Sequence, residues 1–143
     1  MTTLLDLYEY AEDQGIDVDW FPTEQATSLS LSLPDGSCAI AINPWKLGTL
    51  AQETVCLAHE LGHCKTGSFY NRYAALDIRQ KHENRADKWA IRQLVPEDAL
   101  DQAVADGCAD LPALAERFGV TEQFMRKAVC WYTHGNLAAE LYF

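Results

Sequence analysis

Hydrophobic and polar positions alternate along this chain in two different rhythms. Leu4, Leu5, Tyr8 and Ala11 recur at helical spacing after Thr3, and Gly15 stops the pattern, so an amphipathic helix is predicted over 3–15. Val18-Asp19-Trp20-Phe21 is a short strand candidate that Pro22 ends. From Ser28 to Leu33 serine and leucine alternate, the period of a half-buried strand. Pro34-Asp35-Gly36 supplies turn chemistry, and the alternation resumes from Ser37 to Ile42 before Asn43-Pro44. The first third therefore predicts a small, mostly antiparallel sheet containing a hairpin.

Beyond Pro44 the period changes to that of helices. Thr49 and Gln52 have capping-box spacing and open a helix that runs through His63 and Cys64 to a stop at Gly67. Leu50, Val55, Leu57, Ala58 and Leu61 spread apolar surface around most of it, as in a buried central helix. An aromatic-rich loop, 66–77, leads to a second long helix over about 78–94. Pro96 opens a third, to about Ala105. Leu111 to Phe118 and Glu122 to Tyr132 read as two more, separated by Gly119-Val120-Thr121. The class is α+β in one domain: helix and small sheet over 1–46, the central helices over 47–95, and a helical part over 96–143. At 143 residues the chain has room for a single modest core.

Composition narrows the function classes. The formal charge is −10, from 11 basic and 21 acidic residues, which disfavours phosphate backbones and argues against nucleic acid as a direct partner. No apolar run approaches the roughly 20 residues needed to span a bilayer, and the N-terminus lacks a basic leader, so no membrane association and a cytoplasmic location are expected. The five cysteines, Cys38, Cys56, Cys64, Cys108 and Cys130, are odd in number and scattered, with no C-x-x-C pair. That argues against a disulfide framework and a cysteine-rich zinc finger, and favours reduced, mostly buried small hydrophobes. The Cys64 side chain is expected to point away from the face of its neighbour His63.

The chemistry concentrates in His59-Glu60-Leu61-Gly62-His63. H-E-x-x-H places two imidazoles at i and i+4 on one helix face, where both reach one metal ion. Glu60 lies beside that face, where it can take a proton from a metal-activated water. The bare pattern arises by chance in roughly a few per thousand chains of this length, as two surface histidines on a helix. Two features weigh against chance. The helix is apolar on nearly every side, so polar rings there need a partner. A third ligand is also available in Glu83, which begins Glu83-x-x-x-Asp87. On a helix Glu83 can bind the metal while Asp87, one turn on, accepts the outer N–H of a ligand histidine. Taken alone, these carboxylates read as ion-pair partners of Arg79, Lys81, Arg85 or Lys88 on a solvated face. Beside H-E-x-x-H the ligand reading prevails, because a catalytic zinc needs three protein ligands.

Leu57 to His63, then Thr66-Gly67-Ser68-Phe69-Tyr70-Asn71, then Glu83-Asn84-Arg85-Ala86-Asp87-x-x-Ala90, resemble the ImmA/IrrE family of metallopeptidases. Val95-Pro96-Glu97-Asp98 and the stretch Phe118 to Met125 are similar to that family too, so the likeness covers about 37–132. The resemblance implies Zn2+ held by His59, His63 and Glu83, with Glu60 catalytic, on a compact zincin-like fold. Glu83 with Asp87 also resembles the downstream motif of gluzincins. The substrate it implies is a helix-turn-helix repressor of a prophage, mobile element or stress-response locus.

Other residues carry two readings each. Tyr70, Tyr73 and His82 lie between the ligand motifs and could donate to an oxyanion. The favoured reading of each alone is plainer: the tyrosines anchor the loop by packing and His82 neighbours Glu83 on the surface. The strand 37–42 is either an edge that pairs an extended substrate or an internal strand. Trp20, Trp45, Trp89 and Trp131 read as core aromatics. Leu114 to Thr121, followed by Phe124 and Met125, has the helix–glycine–helix form of a DNA-binding unit. Residues 96–143 carry 8 acidic and 3 basic side chains, a net of −5, which suits packing better than groove reading. Three functions compete: a zinc endopeptidase, a zinc-binding regulator without turnover, and a transcription factor.

Overall fold

The computed structural model describes residues 2–71 and 73–143; Arg72 of the aromatic loop lies outside the described residues. Helix α1 (Leu4–Asp13) leads into strand β1 (Asp17–Trp20), followed by β2 (Ser28–Ser32) and β3 (Cys38–Ile42). Helices α2 (Leu50–Thr66), α3 (Leu76–Leu94), α4 (Glu97–Ala105), α5 (Leu111–Phe118) and α6 (Glu122–His134) complete it, with a short 3-10 turn at Ala139–Leu141. The class is α+β, with a helical C-terminal half.

The sheet is mixed, in the order β1-β3-β2. β2 and β3 form the expected antiparallel hairpin, with Ser28 opposite Ile42 and Ser32 opposite Cys38. Asp35 holds the turn by accepting from the Ser37 backbone N–H at 2.9 Å, and Gly36 takes a left-handed φ of 87°. β1 instead runs parallel to β3, from Asp17 opposite Ala39 to Trp20 opposite Ile42. The sheet thus has one parallel and one antiparallel pair rather than being mostly antiparallel. β3 is the internal strand and not an edge; β2 is an edge.

α2 begins at the expected capping box, where Thr49 Oγ1 accepts from the Gln52 N–H at 3.1 Å and Gln52 returns the bond to Thr49 N–H. It ends where Gly67 adopts φ 65°, a conformation costly for any residue with a Cβ. It packs on β2, β3 and α3, and Leu57, Ala58 and Leu61 are fully buried. Gly62 sets the closeness of the α2–α3 contact. A Cβ there would lie 2.5 Å from the Ala86 carbonyl oxygen, so only glycine admits α3 at this separation. The core runs without a break from Leu7 and Ala11 of α1, through Ile40, Ile42, Leu57 and Leu61, to Ile91, Leu94, Phe118 and Met125. α5 and α6 bury Leu114, Ala115, Phe118, Phe124 and Met125 against this core.

Two expectations fail. Cys38 and Cys64 are not reduced: they form a disulfide with a Cα–Cα distance of 5.9 Å. The start of β3 is brought against the last turn of α2, a neighbourhood that 26 residues of separation conceal. Cys56, Cys108 and Cys130 are free, and Cys64 is turned to β3 as its direction from the His face required. Nor are all four tryptophans core. Trp89 and Trp131 pack against the core, but Trp20 and Trp45 are 61% and 70% exposed. Trp20 sits on edge strand β1 and spends its indole N–H on the Tyr8 hydroxyl at 3.1 Å.

Candidate metal centre

His59 and His63 lie one turn apart on α2, and Glu83 and Asp87 one turn apart on α3. The Gly62–Ala86 contact lies between them and draws the two pairs together. His59 Nε2, His63 Nε2 and a Glu83 carboxylate oxygen all lie within 4.8 Å of one another. His59 Nε2 is 2.7 Å from Glu83 Oε2, His63 Nε2 is 3.1 Å from Glu83 Oε1, and the two Nε2 atoms are 3.1 Å apart.

The outer ring nitrogens fix the tautomers. His59 Nδ1 is 2.7 Å from Asp87 Oδ1, and His63 Nδ1 is 2.5 Å from the Ser68 carbonyl oxygen. A carboxylate and a carbonyl only accept, so both Nδ1 atoms carry the hydrogen and donate it. In the neutral rings both Nε2 atoms are then lone pairs, facing each other and a carboxylate. Three acceptors aimed at one point need a cation, and two imidazoles with one carboxylate are a zinc-type donor set. The residues present fit the metal.

Protons answer the same demand when no metal does. Burial works against charge on His59, yet its bonds to Asp87 and Glu83 hold it up at about 10. Burial likewise opposes charge on His63, which Glu83 and the Ser68 carbonyl raise. Burial would lift both carboxylates, but His59 and His63 hold Glu83 far below the usual carboxylate range, and His59 with Lys127 holds Asp87 below it.

Glu60 is 6% exposed, and its Oε2 accepts from the Ser28 hydroxyl at 2.7 Å. Ser28 stands between two depressions that open on either side of His59 and Glu83. One, of about 430 Å³, reaches Val55, Phe124 and Lys127; the other, of about 330 Å³, reaches Ser30, Glu60, Phe69 and Tyr70. Tyr70 belongs to the site: its hydroxyl donates to Glu83 Oε1 at 3.0 Å and its ring stacks on His82 at 6.0 Å. Among the described residues His82 meets the cluster through that ring, and its own Nδ1 is buried without a hydrogen-bond partner there. Tyr73 stands out from the loop, 79% exposed.

Three contributors were not read from the sequence. Ser28 shares its strand face with Ser30 by the period of two, which marks the pair but not what they face. Lys127 of α6 lies 3.2 Å from Asp87 Oδ2, 40 residues away in sequence. The Ser68 carbonyl is a backbone group and leaves no side-chain signal.

A helix-borne pair of histidines, completed by a carboxylate from the next helix and flanked by a buried glutamate, defines a candidate metal site of the H-E-x-x-H class. The chain belongs to the IrrE N-terminal-like domain family (Peptidase_M78), the ImmA/IrrE metallopeptidases, whose model matches residues 11–129. No curated protein matches it. Among solved structures it is similar to a Mycobacterium tuberculosis transcriptional regulator, at 19% identity and a TM-score of 0.65 over 88% of this chain. The likeness is one of fold, and this chain spans 41% of that protein's length. Among the described residues no helix is long and apolar enough to cross a membrane.

Proposed function

We propose that the chain is a zinc-dependent metallo-endopeptidase that cuts a protein substrate at one or a few sites. The observation that carries this is the convergence of two Nε2 lone pairs and the Glu83 carboxylate beside a buried, hydrogen-bonded Glu60. His59, His63 and Glu83 would hold the zinc, which would supply Lewis acidity toward a peptide carbonyl and toward water, whose pKa such sites lower to about 7. Glu60 takes the proton and returns it to the leaving amine. The Ser28 hydroxyl occupies one oxygen of Glu60 and leaves the other for that transfer. Tyr70, already donating at the edge of the cluster, is a side-chain donor placed to serve an oxyanion. β2 pairs only with β3 among the described residues, so its outer edge is available to an extended peptide running past Ser28.

The family points to a helix-turn-helix repressor of a prophage, mobile element or stress-response locus as substrate. A chain this small has little surface for a deep, general cleft, which agrees with cutting at few sites. A zinc-binding regulator without turnover is the second reading, favoured by the fold that the chain shares with a transcriptional regulator.

The test is incubation with zinc and the repressor encoded beside the gene, with products read by mass spectrometry. Wild type should yield discrete fragments. Glu60→Gln should keep the zinc, because Glu60 is not a ligand, and lose cleavage by several orders of magnitude. Equal cleavage by both would overturn the role of Glu60. An intact repressor beside zinc-loaded wild type would favour the regulator.

A further inference from the structure

We propose that Cys38 and Cys64 are a reversible oxidation site, and that its disulfide state holds the metal more firmly than its dithiol state. The second half rests on the zinc reading above.

The pair is placed where it can act on a ligand. Cys38 is the first residue of β3, and Cys64 follows His63 in the last turn of α2. At that end the helix runs out of intrahelical donors for its carbonyls, so the final turn depends on outside bonds. The His63 carbonyl receives the N–H groups of Gly67 and Ser68, and the His63 ring is held by the Ser68 carbonyl. The bonds at the His63 carbonyl and at its Nδ1 thus lie within a short segment at a helix end. The Cys38–Cys64 bond ties that segment to the central strand. β3 also carries β2, whose Ser28 holds Glu60. The bond therefore joins the strand half of the site to its helix half.

The pair is also placed to be reversible. Both cysteines are part-exposed, so small oxidants and thiols can reach them. The 5.9 Å between Cα atoms is ordinary for a joined pair. One pair among five cysteines is no disulfide scaffold, and the buried core cluster is made of other side chains, with Cys38 and Cys64 packed at its margin.

A peroxide suffices as oxidant. One thiol takes an oxygen atom from it as sulfenic acid, releasing a water, and the second thiol displaces a second water as the S–S bond forms. The two cysteines give up two electrons, and the peroxide is reduced. An external dithiol reverses the step by exchange, becoming a disulfide itself.

The test uses the full zinc-loaded chain in two samples. One is equilibrated with oxidised glutathione and the other with dithiothreitol, and both are desalted. Alkylation and peptide mapping should show Cys38 linked to Cys64 only in the oxidised sample, with Cys56, Cys108 and Cys130 alkylated in both. Zinc transfer to a chromogenic chelator should be roughly tenfold faster from the reduced sample, the low end for contacts that orient a ligand. Cys38→Ser should give the fast rate under both conditions, although the wild-type comparison stands without it. Absence of the link after oxidation overturns the proposal. Equal zinc transfer from linked and unlinked chain, with zinc bound in both, overturns the coupling while leaving the metal reading intact. A chain that binds no zinc in either state overturns both.

Discussion

Gly62→Ala should weaken the metal site more than it weakens the fold. The added Cβ would meet the Ala86 carbonyl oxygen at 2.5 Å, its Cα at 2.9 Å and its carbonyl carbon at 3.1 Å. Ordinary carbon contacts are about 3.5–4.0 Å, so α3 must retreat by a substantial fraction of an ångström. Overpacking of this kind costs about 1–3 kcal/mol. Alanine returns about 1 kcal/mol of helix propensity, leaving a net loss of about 0–2 kcal/mol and a Tm lower by at most about 6 °C. The site feels the retreat directly, because Glu83 and Asp87 move with Ala86. The 2.7 Å bonds from His59 to both carboxylates stretch out of hydrogen-bonding range, and zinc affinity should fall about 10- to 100-fold. Chelator competition measures the affinity, and thermal unfolding of the metal-free protein measures the fold. A second variant sharpens the test. Every clashing atom is backbone or Cα, so adding Ala86→Gly should not restore the affinity. Wild-type zinc affinity in Gly62→Ala, or rescue by Ala86→Gly, would refute the reasoning.

Asp87→Ala should lower zinc affinity about 10- to 100-fold with the fold intact by circular dichroism, since Asp87 orients His59 without being a ligand; an unchanged affinity returns it to a plain ion pair with Lys127. Ser28→Ala should keep zinc and KM but lower kcat by about tenfold, and Ser28→Thr should restore it; a change in KM alone would place Ser28 in substrate binding. Without metal, stability should depend on pH through the site. His59 is held up at about 10 against an ordinary 6.5, so its contribution is full below 6.5 and lost as pH rises through about 10. Glu83 and Asp87 are held low, so theirs is present above their ordinary values of 4.5 and 3.8 and lost as pH falls. Thermal melts in chelator should therefore peak in weak acid and decline from pH 7 to 10, and a flat or rising curve there would contradict the linkage.

Local period made most of the elements legible in the sequence alone. The Ser–Leu alternation of 28–33, the Thr49 and Gln52 cap and the stop at Gly67 are properties of neighbouring residues, and each appears where its spacing put it. His59, His63, Glu83 and Asp87 were legible because helical spacing places a pair on one face without reference to the rest of the fold. What stayed hidden depends on which elements meet. β1 skips its sequence neighbour to lie parallel to β3, which makes β2 the edge beside the site. The same arrangement brings Ser28 to Glu60 across 32 residues and Cys38 to Cys64 across 26. Trp20 and Trp45 misled because size and apolarity favour burial only on average, and an edge strand or loop can leave either in water.

The charges around the cluster fit a divalent cation better than they fit a proton network. Glu60 and Asp87 are buried and Glu83 is half-buried, so three carboxylates share one small region. Among the described residues the side-chain cation in direct contact is Lys127, on Asp87, which leaves the other two carboxylates without one. Buried charge is tolerated only when paired. Protons on His59 and His63 supply two positive charges, but those rings sit with their Nε2 atoms 3.1 Å apart, where two N–H groups would oppose each other. One dication supplies the same charge at a single point and lets both rings remain neutral donors. The tautomers that Asp87 and the Ser68 carbonyl impose are those a metal ligand needs, so the outer contacts, the charge count and the ring geometry all fit a metal ion at this candidate site.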